Sequence, residues 1–251
     1  MKTRYFLIVA VLVFAVSIVV AVSGGSQQVA ADPIFDPIIE GFQKSTVASV
    51  ADAVDQVVGE RGFLSHDMRP MIPGKFVGRA RTALVRPAPP EKATPALAVK
   101  HSVEMIEGSK PGDVGVIVME DGLDVAAIGG LMATTAKARE MAGFLIDGGV
   151  RDVGEIRALD LPVYARSVTP ATAVGRYASV SQGEPVTCGG VTIKPGDIIV
   201  AGEDGVVRVP AGKAAEVLAK SQEIDERESK MVPFIKKFKS LTKAIQVFNR
   251  I

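Results

Sequence analysis

The sequence predicts an α/β fold in which short strands and helices alternate along most of the chain. Strand-like runs recur between residues 75 and 209, and most of them end at glycine or proline. Stretches with helical spacing of apolar residues lie between these runs. No repeat with a period of about 20–50 residues is visible, which excludes solenoids and propellers. The chain has 251 residues, 47% of them hydrophobic, and is therefore long enough to bury a core.

The order of the elements follows from these patterns. Valine and alanine recur every three or four positions near the start of the domain, which is typical of a helix. Helices are expected at residues 38–60, from Pro95, at 131–141, at 153–159, and over a long stretch from Ala211. Strands are expected at residues 75–85, 114–119, 125–128, 144–147, 163–166, 174–180, 186–193, 197–201 and 206–209.

Composition and charge exclude several classes of protein. The chain has 29 Lys and Arg against 28 Asp and Glu, so its charge gives no reason to expect a nucleic acid partner. One cysteine cannot form a disulfide within the chain or a cysteine-rich zinc site, and two histidines exclude a histidine cluster. Any metal would therefore be held by carboxylates and water, which favours a hard cation such as Mg²⁺ or Mn²⁺.

The first residues predict export. Lys2 and Arg4 precede an apolar run at residues 6–22 that carries no charge. The run is longer than the core of a typical signal peptide, about 7–15 residues, and shorter than the roughly 20 residues of a comfortable membrane span. Residues 1–31 are thus expected to be either a cleaved signal peptide or a membrane anchor. In both cases the rest of the chain lies outside the cytoplasm, periplasmic or extracellular.

Two consecutive glycines end a predicted strand at Gly129 and Gly130 and open a helix. The first N–H groups of a helix have no partner within it and lie at the positive end of its dipole. Glycine lets a carboxylate or phosphate approach these groups closely, so the turn is a candidate anion site. The alternative is a tight strand-to-helix turn that binds nothing.

Arg151 and Asp152 follow a second glycine turn, after the predicted strand at residues 144–147. A guanidinium holds a carboxylate by two parallel hydrogen bonds, and an aspartate can ligate a divalent metal through oxygen. A metal chelated by a 2-oxo acid would stabilise the enolate that forms when a carbon–carbon bond breaks. The alternative is a surface Arg–Asp pair that caps the next helix.

These segments together resemble the RraA-like family over roughly residues 40–230. That family includes 4-hydroxy-4-methyl-2-oxoglutarate aldolases with oxaloacetate decarboxylase activity and the regulator of ribonuclease E activity, and its members are often labelled demethylmenaquinone methyltransferases. The combined pattern is specific although each piece is weak. The matching segments are residues 129–134, 136–139, 142–143 and 147–152, with further likeness at 46–55, 77–82, 161–163, 185–197 and 203–207.

The resemblance implies a site and an assembly. Main-chain N–H groups of Gly129, Gly130, Leu131 and Met132 would bind the pyruvate part of the substrate. Arg151 would hold its carboxylate or enolate oxygen, and Asp152 would be the direct ligand of Mg²⁺ or Mn²⁺. Many members have an acidic residue where this chain has Gly130. The implied fold is a swivelling-domain-like β/β/α sandwich over residues 32–230, assembled as a homotrimer or hexamer. Some aldolases also use a glutamate from the neighbouring subunit, for which Glu226 and Glu228 are candidates.

The function so implied is a metal-dependent lyase. It would act on 4-hydroxy-4-methyl-2-oxoglutarate, oxaloacetate or a related 2-oxo diacid and release pyruvate. The alternative is a non-catalytic regulatory protein on the same fold, as in the ribonuclease E regulators, although export argues against that cytoplasmic partner. A methyltransferase is disfavoured because the chain lacks the glycine-rich turn and later acidic residue of a Rossmann-type site. No Gly-x-Ser-x-Gly elbow supports a serine hydrolase.

Two further features each allow a structural interpretation and a functional one. Cys188 precedes Gly189 and Gly190 in a predicted hairpin and is interpreted as a small buried residue rather than a nucleophile. Residues 231–251 are interpreted as a basic amphipathic helix that begins after Pro233. Its apolar stripe, at residues 234–248, could lie on an anionic membrane or pack on a neighbouring subunit. The stripe consists of Phe234, Phe238, Leu241, Ile245 and Phe248.

Overall fold

In the computed structural model, which describes residues 36–249, strands and helices alternate as the sequence predicts. The helices are α1 (Pro37–Lys44), α2 (Val47–Val58), α3 (Pro95–Glu107), α4 (Gly130–Ala138), α5 (Val153–Ala158), α6 (Ala214–Phe238) and α7 (Leu241–Phe248). The strands are β1 (Arg69–Ile72), β2 (Phe76–Pro87), β3 (Val114–Met119), β4 (Ala126–Ile128), β5 (Gly143–Val150), β6 (Val163–Val168), β7 (Tyr177–Gln182), β8 (Val186–Cys188), β9 (Val191–Ile193), β10 (Ile198–Gly202) and β11 (Gly205–Val209). The predicted leader at residues 1–31, with its apolar run at 6–22, lies outside the described residues.

Nine strands within residues 36–249 form one mixed sheet. Its order is β1-β6-β5-β3-β2-β10-β11, with β4 beside β5 and β7 beside β2. Strands β2, β3, β5 and β6 run parallel, as does β4 to β5, and the remaining pairs are antiparallel. Parallel neighbours need a crossover, and α3, α4 and α5 supply it. The carboxyl ends of β4 and β5 therefore share one edge, where α4 and α5 begin.

Each face of the sheet carries its own core. Ile117 and Ile146 face the crossover helices, whereas Val116 and Leu145, one residue away, face the β8–β9 hairpin. A third apolar cluster joins α1, α2 and α6 to β10 and β11. The helices, the large sheet and the small hairpin thus form three layers, which confirms the predicted α/β class and the β/β/α arrangement.

The predicted helix at residues 38–60 is wrong in one respect, because it consists of two helices. Its break lies at Ser45 and Thr46. The Thr46 side chain caps α2 by accepting a hydrogen bond from the N–H of Ser49. The Lys75 ammonium donates to the carbonyls of Gln43 and Ser45, both at 2.6 Å, and so satisfies the end of α1. Periodicity alone did not reveal the break because Phe42 of α1 and the valines Val50 and Val54 of α2 are buried in the same cluster.

Two short β elements show where local patterns suffice and where they fail. The hairpin is confirmed: Gly189 and Gly190 join β8 to β9 with φ of 54° and 79°, as a two-residue turn of this hand requires. Strand β1 was not predicted, since it is four residues long, contains Pro70 and is only partly buried. It exists because it pairs antiparallel with β6.

The C-terminal helix does not begin after Pro233. Pro233 lies inside α6, and the chain instead turns at Lys239, whose φ is 51°, before α7 begins behind its Ser240 cap. The predicted stripe is therefore divided between two helices. The ring of Phe234 lies 4.5 Å from that of Phe238 and 5.7 Å from that of Phe248 on α7. None of the helices in residues 36–249 combines the length and apolarity needed to cross a bilayer.

Candidate active site at the carboxyl edge of the parallel strands

The turn between β4 and α4 forms one wall of the candidate site. Gly129 is extended, with φ of −140° and ψ of −169°, and Gly130 is the first residue of α4. A Cβ on Gly129 would lie 2.5 Å from Oδ2 of Asp152 and 2.9 Å from Nε of Arg151. Any side chain at this position would therefore displace both groups, so the close approach requires glycine.

Arg151 and Asp152 form the opposite wall, directly after β5. The N–H of Arg151 donates to the carbonyl of Ile128 at 3.1 Å, which ties the end of β5 to the end of β4. Asp152 lies at the N-cap of α5, yet its side chain makes no capping bond there. Oδ2 of Asp152 instead accepts the N–H of Gly130 at 3.0 Å. The pair is therefore not the helix cap that was the alternative interpretation.

The Arg151 guanidinium is accessible from solvent. Its Nε lies 3.7 Å from Oδ2 of Asp152, and the two side chains are 41% and 38% exposed. An ion pair this exposed contributes about 0–1 kcal/mol, so it orients the guanidinium without sequestering it. The Nη atoms of Arg151 have no partner within the described range and remain available to a ligand.

The main-chain donors at the start of α4 are divided between two tasks. The N–H of Gly130 is engaged by Asp152 and fixes that carboxylate. The N–H groups of Leu131 and Met132 come next, where a helix offers no internal acceptor. The Leu131 side chain is 88% exposed, so it does not pack against the rest of residues 36–249. Of the predicted donors, the N–H of Gly130 is therefore engaged, whereas those of Leu131 and Met132 lie in the first turn of α4, where the helix supplies no acceptor.

Glu155, on α5, is a member of this site that the sequence analysis did not identify. A Cβ on Gly130 would collide with its Oε2, so the Glu155 carboxylate fills the space that a side chain at position 130 would take. The signal was present, because Glu155 follows Asp152 by three residues, which is one helical turn. Glu155 comes close to Gly130 only because β4 pairs with β5, and the sequence alone does not reveal that pairing.

Metal ligation at this site rests on few protein groups. No three His, Cys, Asp or Glu side chains converge as a preformed ligand set anywhere between residues 36 and 249. Asp152 is exposed and offers a carboxylate oxygen, and Mg²⁺ is commonly bound through one or two carboxylates with several waters. The residues present therefore fit a cation held by Asp152 and water. Glu226 and Glu228 lie on α6, which packs against α1 and α2, and their donation to a neighbouring subunit stays a prediction.

Asp147 belongs to the same sequence motif but lies on the other face of the sheet. Its carboxylate accepts hydrogen bonds from Nη1 of Arg166 at 3.0 Å and from the N–H of Gly189 at 2.7 Å. The hydrogen bond with Asp147 raises the pKa of Arg166. Cys188 is fully buried beside this pair, and burial raises the pKa of its thiol well above the usual range. This cluster attaches the hairpin to the sheet, and Cys188 has the character of a buried structural residue.

Comparisons with known proteins agree on one family. The model of the RraA-like family, described as Aldolase/RraA, matches residues 47–208. A Halalkalibacterium halodurans protein, provisionally named a 4-hydroxy-4-methyl-2-oxoglutarate aldolase, is 33% identical over 73% of this chain and 81% of its own length. An uncharacterised protein from Pseudomonas syringae pv. tomato superimposes with a TM-score of 0.76 and 26% identity, covering 86% of this chain and 95% of that one. Streptomyces coelicolor RraAS2, described as an unusual member of the RNase ES inhibitor RraA family, gives a TM-score of 0.70 and 25% identity over 78% and 96% of the two chains. This chain belongs to the RraA-like family.

Proposed function

We propose that this chain is a carbon–carbon lyase that cleaves or decarboxylates a small 2-oxo diacid and releases pyruvate. The observation that carries the proposal is the convergence of Arg151, Asp152 and the start of α4 at one solvent-accessible point. A guanidinium, a carboxylate and free N–H groups are what binding a 2-oxo acid and stabilising its enolate require. The related aldolase name in Halalkalibacterium halodurans supports the same reaction class.

The main-chain and arginine donors bind the substrate in this proposal. The N–H groups of Leu131 and Met132, at the positive end of α4, donate hydrogen bonds to the carboxylate next to the 2-oxo group. The guanidinium of Arg151 faces the 2-oxo oxygen, where negative charge develops as the bond to the methylene carbon breaks. Asp152 keeps Arg151 oriented and is itself fixed by the N–H of Gly130.

Asp152 would also hold a divalent cation, Mg²⁺ or Mn²⁺. When bound, such a cation supplies the Lewis acidity that stabilises an enolate oxygen. The contribution of the chain is to present the exposed carboxylate of Asp152 and to hold Arg151 beside it. 4-Hydroxy-4-methyl-2-oxoglutarate and oxaloacetate are the substrates proposed.

The first prediction concerns the side chains of Arg151 and Asp152. Purified protein with Mg²⁺ or Mn²⁺ is expected to release pyruvate from either substrate above a blank that contains the cation alone. Replacing Arg151 or Asp152 by alanine is expected to lower kcat/KM by at least about a hundredfold, because the lost group acts on the charge of the transition state. Coupled pyruvate detection measures the rate.

Glu107→Gln, on the exposed end of α3, serves as the control and should retain full activity. Activity that survives both Arg151→Ala and Asp152→Ala would reject the lyase.

The related RraA protein of Streptomyces coelicolor is described as an inhibitor-family member, which keeps a regulatory function as the second candidate. Wild-type protein that releases no pyruvate and instead retains one specific protein partner in a pull-down would support that candidate.

A further inference from the structure

Helix α6 extends beyond the apolar cluster that holds it to the domain. Its residues in that cluster end at Ile224, and the Asp225 carboxylate accepts hydrogen bonds from the N–H and the hydroxyl of Thr46, just before α2. The helix then continues to Phe238. At about 1.5 Å per residue, this extension adds roughly 20 Å of helix. It therefore needs partners other than the core cluster.

Helix α7 folds back along the extension and forms a hairpin with it. The rings of Phe234 and Phe248 lie 5.7 Å apart across the two helices, and Ala244 of α7 is fully buried. At the far end of α7, Nη1 of Arg227 donates to the carbonyl of Asn249 at 3.2 Å. Phe234 and Phe248, both members of the predicted stripe, therefore place apolar surface inside the hairpin.

The tip of this hairpin, residues 236–243, combines exposed apolar side chains with lysines. Phe238 and Leu241 lie on either side of the turn and are 46% and 48% exposed. The ammonium of Lys237 lies 5.2 Å from the centroid of the Phe238 ring. The sequence has no acidic residue from Lys230 onward. The tip therefore carries four positive charges without an acidic neighbour along the chain, on the exposed residues Lys236, Lys237, Lys239 and Lys243.

The chemistry of the tip fits an anionic bilayer surface. A lysine near such a surface is attracted to the lipid headgroups, and exposed aromatic and aliphatic side chains are stabilised at the boundary between headgroups and acyl chains. A second copy of the chain fits less well, because two identical tips would bring like charges together. Charge complementarity thus favours the lipid surface over a symmetric contact between tips.

We propose that the tip docks on the surface of a bilayer rich in anionic lipid. Phe238 and Leu241 enter the headgroup region, and the lysines of the tip lie among the headgroups. The proposal is independent of the lyase activity, since the tip and the candidate site share no residue.

The test measures how the full chain partitions between buffer and lipid vesicles in a cosedimentation assay. One set of vesicles is phosphatidylcholine alone, and the other contains about one third phosphatidylglycerol. We expect wild-type protein to bind the anionic vesicles at least about tenfold more strongly, and about 0.5 M salt should remove most of this difference. The predicted leader at residues 1–31 is common to all variants, so differences between variants report on the tip.

Two variants separate the apolar contribution of the tip from its charge. Phe238→Ser/Leu241→Ser is expected to weaken binding to the anionic vesicles by about tenfold or more, because the inserted apolar surface is lost. The second variant replaces every lysine of the tip by glutamine. It is expected to bind the two kinds of vesicle equally, because the attraction to the headgroups is lost.

Matched controls remove the same kinds of group elsewhere. Leu97→Ser/Val180→Ser replaces two exposed apolar side chains, on α3 and β7. The charge control replaces four exposed lysines by glutamine, namely Lys92, Lys100, Lys110 and Lys194. Both controls should bind the anionic vesicles within about twofold of wild type, because charges distant from the bilayer are screened. Thermal unfolding should show that each variant is folded.

Equal binding of wild-type protein to both kinds of vesicle would overturn the proposal. A charge control that loses as much binding as the tip variant would also overturn it, since overall charge would then explain the attraction. Tip variants that bind the anionic vesicles like wild type would overturn it as well. If such variants also sediment as a smaller species in solution, the tip is a contact between subunits instead.

Discussion

Asp152 has a backbone conformation that determines where its side chain points. Its φ of 56° and ψ of 35° lie in the left-handed region, which costs a residue with a Cβ roughly 1–2 kcal/mol, although aspartate tolerates it better than most. In this conformation the carboxylate reaches the N–H of Gly130 instead of capping its own helix. Strained residues of this kind are common at functional sites, which agrees with the role proposed for Asp152.

The close contacts around Gly129 lead to a prediction about a single residue. Gly129→Ala keeps an allowed backbone, but its methyl group would push away Oδ2 of Asp152 and Nε of Arg151. We expect pyruvate release to fall by at least about tenfold, because misplaced groups lose their effect on the transition state. The midpoint of thermal unfolding should change little, since both displaced groups are at the ends of exposed side chains.

The matched control is Gly154→Ala in α5. A Cβ there meets nothing within 4 Å, and alanine in a helix is more stable than glycine by about 0.5–1 kcal/mol. This variant should unfold at a slightly higher temperature and release pyruvate at the wild-type rate. Equal activity of the two variants would mean that the space beside Gly129 has no functional importance.

At the scale of elements, glycine turns and apolar runs in the sequence predicted the position of most of the site, but not the contacts between its residues. Glycine pairs after apolar runs predicted both turns, and the strand at residues 114–119 has the predicted bounds. The partner of Asp152 is a main-chain group 22 residues away, and this contact depends on β4 pairing with β5. No periodicity or turn preference encodes such a pairing, so Glu155 was missed for the same reason.

Pro233 lies inside α6, where a proline is unfavourable. Within a helix, proline removes one hydrogen bond and its ring disturbs the preceding turn, at a cost of about 3 kcal/mol relative to alanine. Because α6 continues through Pro233, Pro233→Ala should slow amide hydrogen exchange at residues 234–238 and increase helicity. Faster or unchanged exchange would contradict the prediction, because proline is favourable in the first turn of a helix and unfavourable only in its interior.

At the scale of the whole molecule, the sheet separates the candidate site from the structural core. Alternation along β5 sends Ile146 toward the helices and Asp147 toward the hairpin, while Arg151 and Asp152 project beyond the strand end. The hairpin packs on the sheet through an apolar cluster that includes Cys188, Leu145 and Ile193. The assembly into trimers or hexamers, the export of the chain and the membrane contact of residues 234–248 stay predictions.

Cys188 reports on the integrity of this core, because it is the chain's single cysteine. Burial raises the pKa of its thiol and shields it from solvent, so thiolate is scarce at pH 8 in the folded protein. Iodoacetamide should therefore label Cys188 only as fast as the protein unfolds, and labelling should become rapid in denaturing urea. Fast labelling of the native protein would show that the hairpin opens independently of the sheet.

The sequence by itself determined the α/β class, the family resemblance, the two glycine turns and the pair Arg151–Asp152 at a strand end. These features are local, because apolar spacing, turn residues and strand ends reflect the preferences of neighbouring residues. Only the tertiary structure decided that Asp152 binds the N–H of Gly130, that Glu155 lies over the same glycine and that Asp147 serves the hairpin instead. Those contacts join residues far apart in the chain, and the pairing of strands, which sets their distances, is a property of the whole fold.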